Sequence, residues 1–171
     1  MKNLIDNTIT KIQDMLHLPT TTCNFLDPES LNELKSILNT DITSFSVADE
    51  DNLCIYVNAQ EITKDCRGYN ITSIIATEMY KAYLAINRGL TYEEPDNNMA
   101  LYLDNLTIEI NAFAAMILIN TFDLKPLDAV HETSKFFPDA GKDSLEGKIL
   151  MDGIEQRLIK TEELIKKWNL N

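Results

Sequence analysis

The side chains with chemical potential concentrate in the middle of the chain. Thr77, Glu78 and Lys81 fall within one helical turn of each other, so a carboxylate, an ammonium and a hydroxyl can meet on one helix surface. Glu109 stands on a second apolar stretch further along. Taken alone, such residues make ordinary helix-surface ion pairs. Other candidates are thinner. His131 beside Glu132 reads as a surface pair, and His17 has no companion ligand nearby in sequence. Asp49-Glu50-Asp51 resembles the start of a calcium loop but lacks the glycine at position six and the closing bidentate glutamate, so a solvated turn is expected. Cys54 and Cys66 read as buried apolar thiols rather than a reactive pair. No GxxxxGK[ST], GxSxG or GxGxxG occurs, which excludes nucleotide-binding and α/β-hydrolase readings at the motif level.

The background to these residues is acidic. Across 171 residues, 27 acidic and 15 basic side chains give a formal charge of −12. A general binder of phosphate backbones needs a basic stripe, so direct nucleic-acid binding is not expected. A basic partner, or mimicry of a nucleic acid, remains compatible. With 44% apolar residues the chain can build its own core, and its length suits a single domain spanning 1–171. Met1 to Leu16 lacks the charged and apolar regions of a secretory signal, and the run Ile110–Ile119 is shorter than the ~20 residues of a membrane span. Three cysteines (Cys23, Cys54 and Cys66) form no CxxC pair. A cytoplasmic protein with reduced thiols is therefore expected, and the sequons at Asn70 and Asn105 carry no meaning there.

The elements that must position these residues follow from periodicity. Leu4, Ile5, Ile9, Ile12 and Leu16 define an amphipathic helix over Asn3–Leu16. Asp27-Pro28 opens a second, with a capping carboxylate and a proline in the first turn, running to about Asn39. Ile42–Val47 and Leu53–Val57, separated by a turn at 48–52, predict a hairpin. A helix over Thr72–Asn87 carries the stripe Ile75, Met79, Ala82 and Ile86, with Gly89 as a stop. After a loop at 88–98, Met99–Asn120 predicts a helix whose apolar second half belongs at a core centre. A short helix over Leu127–Phe136 ends before Pro138. Asp143 and Glu146 then resemble a capping box, opening a long helix with the stripe Leu150, Ile154, Leu158, Ile165 and Trp168. These elements make a helix-rich α+β domain with a small β-sheet or hairpin.

Three blocks in order carry a family resemblance: Ile55-Tyr56-Val57-Asn58, then Ile74 to Leu84 (IIATEMYKAYL), then Ile108 to Leu118 (IEINAFAAMIL). Their order and spacing over about residues 45–120 resemble the ImmA/IrrE family of zinc peptidases. There a strand ending in Asn precedes an HExxH helix, and a further helix carries E-x-N-x-F-A-A-x-x-L. The resemblance implies a zincin-like core. In that family two histidines and a glutamate bind zinc, and the glutamate beside the first histidine is the general base. By this resemblance the ligand positions hold Thr77, Lys81 and Glu109, and the general-base position holds Glu78. One carboxylate cannot hold zinc firmly, and an ammonium at Lys81 repels it, so neither metal nor other cofactor is expected. Lys81 is expected instead to neutralise the site by pairing with Glu109, with or without Glu78.

Two functions follow from the resemblance. The first is a catalytically inactive, peptidase-like protein acting by protein–protein binding: a phage or mobile-element regulator, or an inhibitor of a host DNA-binding or defence protein. The second is an active metal-dependent peptidase cleaving a helix-turn-helix repressor, with metal held by Glu78, Glu109 and a distant His or Asp. A structural subunit or sensor domain is a third, weaker option.

Overall fold

The computed structural model describes residues 1–38, 43–49, 51–61, 67–88, 99–134 and 145–168. The chain divides into two compact units, Met1–Leu90 and Thr91–Asn171.

The first unit runs α1 (Lys2–Leu16), β1 (Thr20–Leu26), α2 (Pro28–Leu38), β2 (Ser44–Ala48), β3 (Asn52–Asn58) and α3 (Tyr69–Arg88). Ile5, Ile9, Ile12 and Leu16 bury the predicted face of α1. That helix stops where His17 turns left-handed (φ 52°) and its amide donates to the Gln13 carbonyl. Asp27 caps α2 as its type predicts. Its Oδ1 accepts the amides of Glu29 at 2.9 Å and Ser30 at 3.0 Å. The expected hairpin is β2 paired antiparallel with β3, Ser46 opposite Ile55. Its turn is closed by Asp49, whose Oδ1 accepts the amides of Asp51 and Asn52.

β1 is an element that the sequence pattern does not announce. Its residues, TTTCNFL, show no clean alternation of apolar and polar types, yet it pairs parallel with β3, Cys23 beside Ile55. The sheet is therefore three-stranded, in the order β1–β3–β2. Leu53, Ile55 and Val57 of the central strand are fully buried, and α1 and α3 pack together along this sheet. α3 is buried more broadly than one stripe: Ile71, Ile74, Ile75, Ala76, Met79, Tyr80 and Leu84 all leave solvent. Ile86, expected on that face, is instead 53% exposed, because it lies in the last turn of the helix.

The second unit comprises α4 (Met99–Phe122), α5 (Pro126–Ser134) and α6 (Leu145–Lys167). Every residue from Ala112 to Leu118 is fully buried, which puts the apolar half of α4 at the centre of this unit. α5 and α6 both pack on it. Among the described side chains of α6, the buried ones are Arg157, Thr161 and Leu164. The face is therefore centred between the predicted Ile154–Leu158 and Ile165–Trp168 pairs, which are only half-buried. Thr161 fixes that centre. Its hydroxyl lies 2.7 Å from the Arg157 carbonyl and 3.4 Å from that of Ala112 on α4. Together the units make a helix-rich α+β chain with six helices and a small sheet among the described residues. Ile42, Glu50, Cys66, Gly89, the loop before Met99, Asp143 and the side chains of Leu150 and Glu146 lie outside what is described.

Candidate functional site

Glu78 sits on α3 with its carboxylate turned to the sheet, only 2% exposed. A buried carboxylate must be hydrogen-bonded or paired with a cation, and Glu78 has both. On β2, Ser44 and Ser46 are two residues apart, so strand alternation puts both hydroxyls on one face. Ser44 Oγ donates to Glu78 Oε1 at 2.8 Å, and Ser46 Oγ donates to Oε2 at 3.2 Å. Lys81, one turn along α3, brings its ammonium to Oε1 at 3.0 Å. The lysine side chain is 48% exposed, so the pair is buried at its anionic end and wet at its cationic end.

Of the residues expected to form a charge cluster, Glu78 and Lys81 meet. Glu109 belongs to α4, where it is half-buried. Thr77 is half-buried on α3 beside Glu78. The two serines are site residues that sequence reasoning missed. Their signal was present in the period-two serines of Ser44-Phe45-Ser46-Val47, but the partner carboxylate lies 34 and 32 positions away.

The chemistry of this donor set does not suit zinc. Thr77 and Lys81 supply no imidazole, and the Glu78 oxygens already accept three donors. A carboxylate offers about four acceptor sites, so most of those on Glu78 are already taken by protein donors. Among the described residues, no three His, Cys, Asp or Glu side chains converge as a metal cage. His17 and His131 are both exposed, one at the end of α1 and the other in the last turn of α5.

Of the two thiols expected to be buried, Cys54 is only partly so and Cys66 lies outside the described residues. Cys23 and Cys54 are both half-buried. Burial, and then the negative charge of Asp6 on α1, push the Cys23 thiol up to about 11. Thr22 Oγ1 approaches Cys54 Sγ at 3.5 Å. The Asp49 carboxylate is held below its usual range by the amides of Asp51 and then Asn52, as befits a turn rather than a cation loop.

Comparison with protein-family models, curated proteins and solved structures finds no match to this chain. No helix among the described residues is long and apolar enough to cross a membrane.

Proposed function

We propose that this chain is a catalytically inactive, peptidase-like protein that acts by binding another protein. The observation that carries this reading is the state of Glu78, the residue in the general-base position of the resemblance. Its carboxylate is engaged by Ser44, Ser46 and Lys81. It therefore ties α3 to β2, which supports a structural rather than a catalytic role. The partner that suits a chain of charge −12 is basic, and a host DNA-binding or defence protein fits that chemistry. Such a protein serves a phage or mobile element as a regulator or inhibitor acting by occupancy in the cytoplasm.

Affinity capture from host lysate, with mass-spectrometric identification and elemental analysis of the purified protein, tests this. The expected result is a basic DNA-binding partner, no stoichiometric zinc, and equal capture by Glu78→Gln. Stoichiometric zinc, with cleavage of a repressor abolished by Glu78→Gln, would establish the active peptidase instead.

A further inference from the structure

We infer that the outer edge of β1, bordered by the Asp6 flank of α1, is a docking site where an extended, lysine- or arginine-bearing segment of a partner protein adds to the sheet as a fourth strand. This deepens the binding function proposed above, and rests on it for the basic character of the partner. The direction of each backbone group is fixed by the ladder. Thr20 N donates to the Asp51 carbonyl at one end of β1, and Ala59 N donates to the Leu26 carbonyl at the other. Residues 20, 22, 24 and 26 therefore point their amides and carbonyls at β3, and residues 21, 23 and 25 point theirs away from it.

The first outward amide is already satisfied, since Thr21 N donates to Gln13 Oε1 of α1 at 3.2 Å. The next two, Cys23 and Phe25, find no hydrogen-bond partner among the described residues. Gln13 thus marks one end of an open edge, and the strand beyond it offers alternating donors and acceptors to an added chain. Beyond Thr21 this edge lacks the usual protection. Sheet edges in natural proteins carry charges, prolines or bulges that discourage pairing. None of the seven residues of β1 is charged or a proline, and its register with β3 is unbroken. Thr21 is buried and Cys23 half-buried, but Thr22 and Asn24 are exposed and Phe25 is 38% exposed, so solvent reaches the strand beyond Thr21.

Charge decides the occupant. Asp6 is exposed on α1 two turns before Gln13, on the side of the helix that borders β1, and its charge is felt at the Cys23 thiol. An added strand would run past this carboxylate. A second copy of this acidic chain would bring its own Asp6 toward the first, whereas a basic segment gains by the approach.

The test is a titration of the isotope-labelled full chain, read by amide chemical shifts and hydrogen exchange. The probe is a heptapeptide alternating lysine and valine. The expected result is shifts and slowed exchange at the Cys23 and Phe25 amides, with affinity at least about tenfold lower when glutamate replaces lysine or when Asp6→Lys is introduced. Cys23→Pro removes an outward donor without touching the β1–β3 ladder, so it should abolish binding while circular dichroism stays unchanged. Asp6→Lys alters an exposed residue and keeps the test valid if the proline variant fails to fold. Equal binding of a peptide N-methylated at every residue, shifts confined to other surfaces, or a dimer formed through β1 would each overturn the assignment. Lysate capture of a basic partner that neither variant weakens would overturn the edge while leaving the binding function standing.

Discussion

Glu78 concentrates the chemistry of the first unit because a carboxylate at 2% exposure must be compensated where it stands. Ser44, Ser46 and Lys81 supply that compensation. Glu78→Ala removes the carboxylate and strands two half-buried hydroxyls, which should lower stability by about 2–4 kcal/mol in a denaturant titration. Glu78→Gln keeps the shape and one acceptor oxygen, so its loss should be clearly smaller. Equal losses would mean that packing rather than hydrogen bonding holds this contact. From the sequence, Lys81 is expected to pair with Glu109 first and with Glu78 only in addition. The observed Glu78–Lys81 pair nonetheless follows from a three-residue spacing on a helix, which is a local property. The serines were not legible, because strand-to-helix contacts across more than thirty residues leave no periodic trace in either segment. Cys23 gives a second prediction at this scale. With its thiol raised to about 11, it stays protonated near neutrality. Its alkylation should be slower than that of an ordinary thiol by roughly two orders of magnitude at neutral pH, rising as pH approaches that value. Because the folded value lies above the unfolded one, the thiol's contribution to stability is fully present below about 8.5 and is lost as pH rises toward the folded value. Unfolding scans across that alkaline window should show the loss in the wild type and a shallower slope in Cys23→Ala.

Elements were readable where one residue type or one period governs them. The cap of Asp27, the five-residue stripe of α1 and the all-round apolar half of α4 each declare themselves locally. β1 escaped because a parallel strand acquires its identity from a partner 32 positions away, and its threonines are equally at home in a loop. The entry to α3 shows how tertiary contact adds to local preference. Gly68 adopts φ +82°, and its carbonyl accepts the Thr72 amide at 3.1 Å, starting the helix. A Cβ at this position would also collide with Cδ2 of Leu4 on α1. Gly68→Ala should therefore cost about 1–3 kcal/mol by thermal or denaturant unfolding, from left-handed strain plus the clash. Adding Leu4→Ala relieves the clash but leaves the strain, so the double mutant should lose about 1 kcal/mol less than the sum of the two single changes. Strict additivity would show that only the backbone conformation matters there.

At the scale of the whole molecule, the charge of −12 acts over distances that individual contacts do not. Net charge governs encounter and selectivity more than fold, since its field extends about 8 Å at physiological salt. It also bears on the inferred edge. Copies of this chain repel one another, so an uncharged strand such as β1 can stay open without immediate self-association, while a basic partner is drawn toward the same surface. If the charge serves recognition, its mark is kinetic. The association rate with the captured partner should fall by roughly ten- to a hundredfold between 50 and 500 mM salt, to order of magnitude, while the dissociation rate changes little. Stopped-flow or surface-binding kinetics at several salt concentrations measure both rates directly. A flat association rate would mean that the acidic surface only keeps copies apart, leaving recognition to short-range contacts such as the strand pairing at β1.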